Sequence, residues 1–218
     1  MAAKLQVVAV VSEFFQENAF IAWLEDSTEC IVFDPGFDHP AIIEKVHDLG
    51  LTPAAILNTH AHGDHIAGNE ALKTEWPESP LVIGAKEAFK LTDPVANLSR
   101  NYGHDLISPE ADELVNEGDV YSAAGLDLEV YEIPGHSIGH VVFVWKGDTQ
   151  SVVFGGDVLF QGSIGRTDFP DGSFEDLAAS IRQKLYALPD DTVVLPGHGP
   201  ATTIGHEKLH NGFVRAEV

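Results

Sequence analysis

An α/β or α+β layered domain is what this 218-residue sequence predicts. Three observations carry that reading: short apolar runs recur along the whole chain, helix-like segments stand between them in both halves, and polar residues capable of chemistry follow the ends of the runs. With 44% hydrophobic residues there is enough apolar surface for a real core, and the length fits one domain spanning 1–218.

Nine runs read as strands, each four to eight residues long and rich in β-branched or aromatic side chains. In order they are "LQVVAVV" (5–11), "AFIAWL" (19–24), "CIVFD" (30–34), "AAILN" (54–58), "LVIG" (81–84), "LDLEVYEI" (126–133), "HVVFVW" (140–145), "SVVFGG" (151–156) and "TVVLPG" (192–197). Two segments read as helices. In "PAIIEKVHDLG" (40–50) Ile42, Ile43 and Val46 share a face and Gly50 ends the pattern. In "FEDLAASIRQKLYAL" (174–188) Phe174, Leu177, Ala178, Ile181 and Leu185 fall at helical spacing, with Ser173 and Asp176 placed as a cap. No low-complexity tract, long charge block or short-period repeat interrupts the series.

Charge excludes one class of partner. Against 34 acidic residues stand 12 basic ones, a formal net of -22, and such a surface repels phosphate backbones, so no nucleic-acid partner is expected. The apolar runs are too short to span a bilayer, and the start "MAAKLQVVAVVSEFF" reaches acidic and polar residues without a small-residue cleavage site. A cytoplasmic protein without membrane contact is the expectation. The single cysteine, Cys30, lies in a strand-like run and reads as a buried, inert thiol.

The chemistry concentrates at the end of the fourth strand, where "NTHAHGDHIAG" (58–68) places His60, His62, Asp64 and His65 within six positions. Imidazole and carboxylate hold Zn²⁺, Fe²⁺ or Mn²⁺, and a loop leaving a buried strand can turn alternate side chains onto one point. Gly63 relieves the backbone of so tight a cluster. Three later strand-like runs end in the same way, beside glycine: His136 follows "LEVYEIPG", Asp157 follows "SVVFGG" and His198 follows "TVVLPG". The residues sort into His60, His62 and His136 for one ion and Asp64, His65 and His198 for a second, with Asp157 bridging. The remaining histidines lack such neighbours; His39, His47 and His104 read as surface or capping residues, and His206 and His210 as surface or packing residues. His140 reads equally as an orienting partner of a ligand or as a core hydrogen-bonding residue.

Taken together these residues resemble the metallo-β-lactamase superfamily, whose HxHxDH signature is followed by separate His, Asp and His ligands. The segments "GGDVLFQGSIGRTDFPDGS" (155–173) and "PGHGPATTIGHEKLHNGF" (196–213) are similar to its glyoxalase II (hydroxyacylglutathione hydrolase) branch, in its short single-domain form. The resemblance implies an αββα sandwich with two face-to-face sheets, helices outside and the metals at one edge. It also implies Arg166 as a contact to the glutathione part of a substrate, against a purely structural pairing of Arg166 with Asp168 or Asp171. Lys208 is the other basic candidate by motif. Departures touch the substrate: 20 residues follow His198, too few for the helical domain with which full-length members grip glutathione; Asp168 stands at a family tyrosine and Gly212 at a usual proline.

The implied reaction is hydrolysis of a small thioester, acylated glutathione foremost, by a hydroxide shared between two divalent metals, with Asp64 and Asp157 in catalytic roles and zinc, iron and manganese all admitted. A thiol of pKa about 8.5 departs without a strong general acid. Similar proteins offer two alternatives: a persulfide dioxygenase with one Fe²⁺ on His60, His136 and Asp157, and a lactonase using all seven ligands. His140 leans toward the hydrolase over the dioxygenase, and Asp157 leans away from a β-lactamase. A metal-binding module without turnover is the remaining class.

Overall fold

The computed structural model of the protein describes residues 4–216. Its first half lays down β1 (Leu5–Val11), β2 (Asn18–Leu24), β3 (Glu29–Phe33), α1 (His39–Asp48), β4 (Thr52–Asn58), α2 (Gly63–Ile66), α3 (Asn69–Glu75), β5 (Leu81–Gly84) and β6 (Glu113–Val115). These strands form one six-stranded sheet in sequence order, antiparallel through β3 and parallel from β3 to β6. The second half contributes β7 (Val120–Ala123), β8 (Leu126–Glu132), β9 (Val141–Lys146), β10 (Ser151–Gly156), β11 (Leu159–Phe160), β12 (Ser163–Ile164), α4 (Phe174–Ser180), β13 (Val193–Pro196), β14 (Thr202–Thr203) and α5 (Ile204–His210). Its main sheet runs β14-β13-β10-β9-β8-β7, and β11 with β12 makes a separate hairpin.

Alternation along the strands explains the layering, because successive side chains point to opposite faces. Phe20, Ala22, Ile31 and Phe33 of the first sheet meet Val141, Phe143, Val152 and Phe154 of the second in one core between the sheets. Phe33 stacks on Phe154 at 3.8 Å between ring centroids and meets Phe143 edge-on at 5.8 Å. The alternate residues face outward onto helices. Ala19, Ile21, Cys30 and Val32 pack with Ile42, Val46 and Leu72, while Val142, Val144 and Val153 pack with Leu177, Ile181, Leu185 and Ile204. Two buried faces per sheet give the αββα sandwich that the family resemblance implied. Cys30 is free and buried, and burial pushes its thiol up to about 12.

All nine expected strand runs are strands, and both expected helices form. The Ser173 hydroxyl accepts the Asp176 amide as the cap of α4, which continues through Ile181–Leu185 as a wider turn closed by the Tyr186 amide on the Ile181 carbonyl. Among the described residues three α-helices, α2, α3 and α5, and two short 3-10 helices at Ala88–Thr92 and Ser99–Tyr102 lie outside the expectation. Each buries too few apolar residues to declare a period: α3 has only Leu72, and α5 only Ile204 beside the buried Glu207. No helix among the described residues is long and apolar enough to cross a membrane.

Candidate metal centre

Pairing directions decide where the functional loops emerge. β8 and β10 both run antiparallel to β9, and β13 runs parallel to β10, so the loops after β8, β10 and β13 leave one edge of the second sheet. His136, Asp157 and His198 are on those loops. His60, His62, Asp64 and His65 follow β4 of the facing sheet, the last two on α2.

All seven come together. His62 Nδ1 stands 3.1 Å from His60 Nε2 and 2.9 Å from His136 Nε2. On the other side His198 Nε2 lies 3.3 Å from Asp64 Oδ2, and His65 Nε2 lies 3.8 Å from the same oxygen. Asp157 reaches both groups: Oδ2 is 3.5 Å from His136 and 3.5 Å from His198, while Oδ1 is 3.4 Å from His65. Within 4.8 Å of one another, the donor atoms of His60, His62 and His136 form one group and those of Asp64, His65 and His198 another, with Asp157 also grouped with His60 and His65.

Except in His62, whose outer Nε2 is buried without a hydrogen-bond partner, the outer ring nitrogens are held by other parts of the chain, which orients those rings. Nδ1 of His60 faces the Thr59 hydroxyl at 3.1 Å, Nδ1 of His65 faces Asp34 at 3.2 Å, and Nδ1 of His136 and His198 donate to the carbonyls of Arg166 and Phe15 at 2.9 and 3.2 Å. Asp34 is itself fixed by the Thr59 amide and hydroxyl at 2.7 and 2.8 Å. His140 combines both readings left open by the sequence: buried, it stacks on His60 at 4.6 Å and its Nε2 accepts the Asp157 amide at 3.1 Å. Two glycines make the approach possible. Gly156 takes φ +46 where Thr59 and His140 crowd it, and a side chain at Gly197 would strike Asp157 Oδ1 and His65.

Two observations fit this constellation to divalent cations. His65 Nε2 and Asp157 Oδ1 are buried without a hydrogen-bond partner, which is costly unless something else engages them. The donor set is mixed imidazole and carboxylate with no thiolate, suited to zinc, iron or manganese. Titration agrees: burial, reinforced by neighbouring imidazoles, holds His60 and His62 well below the usual histidine range, which keeps them neutral. Burial acts to raise the Asp157 carboxyl, but His65 and His198 outweigh it and hold the group well below the usual carboxylate range. For His198, hydrogen bonds to Asp157 and Asp64 outweigh burial and push it up to about 10.

A cavity of about 280 Å³ opens onto the cluster, lined by Phe15, Leu98, Tyr102, Phe160, Ile164 and Phe169 as well as Arg166. Arg166 is largely exposed there, bidentate to Asp168 at 2.9 and 2.8 Å and 4.6 Å above the Phe169 ring. Asp171 pairs with Lys90 instead. Lys208 does not line this cavity; it pairs with Asp190 at 2.6 Å and borders a different hollow. The structure adds Asp34, Thr59, Phe15, Glu87 and Lys90 to the residues expected around the cluster, and also Glu17, whose buried carboxyl has no hydrogen-bond partner and is raised well above the usual range by burial. Only Asp34 had a readable signal, since it ends an apolar run as Asp157 does.

The model of the metallo-beta-lactamase superfamily matches residues 13–198. The hydroxyacylglutathione hydrolase GloC of Haemophilus influenzae is 34% identical over 219 residues, which cover 98% of this chain and 99% of the relative. Among solved structures, the BLEG-1 B3 metallo-beta-lactamase aligns with a TM-score of 0.91 at 39% identity, over 96% of this chain and 99% of that one. TTHA1623 in a di-iron-bound form aligns with a TM-score of 0.79 at 34% identity, over 94% and 99%.

Proposed function

The chain belongs to the metallo-β-lactamase superfamily, and from that premise we propose that it is a binuclear metal-dependent hydrolase of small thioesters, with acylated glutathione as the first substrate to test. The observation that carries the proposal is Asp157, a single buried carboxylate that touches both donor sets, its Oδ2 3.5 Å from His136 and from His198 and its Oδ1 3.4 Å from His65. His60, His62 and His136 would hold one cation, and Asp64, His65 and His198 the other. Divalent cations bound there supply a water of pKa about 7 as nucleophile and a Lewis acid for the carbonyl oxygen.

The chain's own residues do the rest. His60, His62 and His136 offer lone pairs without first losing a proton, and the carbonyls of Arg166 and Phe15 orient the rings of His136 and His198 with Nε2 inward. Phe15, Phe160, Ile164 and Phe169 give the cavity apolar walls that exclude water from the reacting carbonyl. Apart from the cluster itself, the titratable groups lining the cavity are Tyr102 and Arg166. Neither is a carboxylic acid or a free imidazole suited to protonating a leaving amine, so a thiolate of pKa about 8.5 is the leaving group this site handles best. Arg166 at the rim is the cation available to a glutathione carboxylate, with Phe169 beneath it.

The likeness to the BLEG-1 B3 metallo-beta-lactamase favours β-lactam hydrolysis as a second reading. One experiment separates the readings: metal-loaded protein is given S-lactoylglutathione, a chromogenic cephalosporin and, in an oxygen electrode, glutathione persulfide. Thiol release without oxygen uptake is expected, with kcat/KM for the thioester at least a hundredfold above that for the cephalosporin. Oxygen uptake with persulfide and no thiol release from any thioester overturns the proposal.

A further inference from the structure

Outside the cluster, the segment after β5 buries charges that the proposed reaction does not use. Glu87 and Lys90 are 0% and 2% exposed. Burying an ion pair is costly, and apolar residues of the same volume often serve stability as well or better, so the pair needs a reason other than stability. Its partners supply one. Glu87 Oε2 accepts the Ala61 amide at 3.1 Å, and Oε1 accepts the Ser137 hydroxyl at 2.6 Å and the Gly139 amide at 2.8 Å. Ala61 lies between His60 and His62; Ser137 and Gly139 flank His136 on its C-terminal side. Lys90 Nζ stands 3.3 Å from Glu87 and donates to the Ser137 hydroxyl and to Asp171. Asp171 also accepts the Ile138 amide at 3.1 Å, and it belongs to the loop that carries Arg166 and Phe169. Gly139 packs so closely that a Cβ on it would stand 2.9 Å from the Glu87 amide nitrogen.

We infer that Glu87 and Lys90 are a positioning pair, a buried strut that sets the spacing between the His60–His62 loop, the His136 loop and the 165–172 loop. The strut serves the three-histidine set and leaves the Asp64–His65–His198 set to Asp34 and Phe15. That division rests on the reading of His60, His62 and His136 as ligands of one cation. All three groups donated to the Glu87 carboxylate are donors, so only an acceptor-only side chain satisfies them; Glu87→Gln would aim an N–H at an N–H or O–H. Lys90→Met keeps the length and removes the charge, and Ser137→Ala removes one hydroxyl at the centre of the strut.

The test has two arms. Metal-free wild type and variants are titrated with Co²⁺ against a chelator, and backbone hydrogen exchange is measured on the metal-free proteins. In the variants one of two Co²⁺ affinities should fall about 10- to 100-fold, the range for losing a partner that orients a ligand, while the other changes less than about threefold. In the exchange arm the Ala61 and Gly139 amides should exchange at least about tenfold faster, while the Gly197 amide, bonded to Gly156, is unchanged. Equal weakening of both Co²⁺ sites, or exchange at Ala61 and Gly139 no faster than in wild type, overturns the strut. Should Glu87→Gln fail to fold, Lys90→Met and Ser137→Ala carry both arms. Uptake of fewer than two Co²⁺ by wild type would instead sink the binuclear reading, and the exchange arm would still decide the strut.

Discussion

The two donor sets reach the same cavity by opposite electrostatic routes. His60, His62 and His136 are three imidazoles, all buried, and burial is the first cause that keeps each below the usual histidine range. Asp64, His65 and His198 mix charge: His198 is 26% exposed, and both histidines are raised because the carboxylates of Asp64 and Asp157 outweigh their burial. An ion arriving at the first set displaces no proton, whereas an ion arriving at the second competes with protons that the carboxylates hold in place. Dehydration alone can prepare a neutral ligand set. Preparing an anionic one takes compensating charge, and in this chain that charge is a proton until a metal replaces it.

Asp157 is the point where the distinction should vanish, because it touches both sets. Asp157→Asn should lower kcat/KM for the thioester by roughly 10³-fold, the several kcal/mol a Lewis acid contributes, and should weaken both metals. Loss of one metal with the other unchanged would show that Asp157 belongs to a single set. Asp34→Asn should sharpen the division from the other side. Asp34 accepts from His65 alone among the candidate ligands, so one Co²⁺ affinity should fall about 10- to 100-fold, the complement of the site weakened in the Glu87 variants. If the same site weakened in both, the two sets would not be independent.

pH offers a third probe, on metal-free protein. His198 is pushed up to about 10 in the folded state and titrates near about 6.5 when unfolded. A raised folded value stabilises fully below the unfolded value and loses that contribution as pH rises through the folded one. Tm of chelator-treated protein should therefore fall from about pH 7 to about pH 10, and fall less in His198→Ala or in metal-loaded protein. His60, already neutral, contributes nothing over that window. A profile for His198→Ala that parallels wild type would remove the electrostatic contrast between the sets.

The smallest effect belongs to the rim. Arg166 is exposed and already paired with Asp168, so part of its charge is spent before a substrate arrives. Arg166→Gln should raise KM for a glutathione thioester about three- to tenfold with little change in kcat, and leave an uncharged thioester almost unaffected. Equal losses on both substrates would make the Arg166 side chain structural, acting through its pairing with Asp168.

How much of this was legible in the sequence follows from how local each feature is. "HAHGDH" announces itself because four ligand-type residues share six positions, and His136, Asp157 and His198 stand out because each follows an apolar run beside glycine. The support was hidden. "AKEAFK" reads as a solvated charged turn, yet Glu87 and Lys90 are buried through contacts with residues 26 to 81 positions away. Lys208 shows the converse: its motif pointed to the substrate, but nothing local states which way the short helix α5 faces, and it faces Asp190. The strands were readable from their apolar runs and the sandwich only through the family resemblance, whereas α3 and α5 bury too little to show a period.

On the binuclear reading proposed above, both donor sets hold a divalent ion while the protein works. Elemental analysis of gently purified, fully active protein decides this, with activity followed as metal is withdrawn and restored. Close to two divalent ions per chain are expected, with thioester hydrolysis lost as either is removed. A reproducible single iron per chain at full activity would contradict that reading.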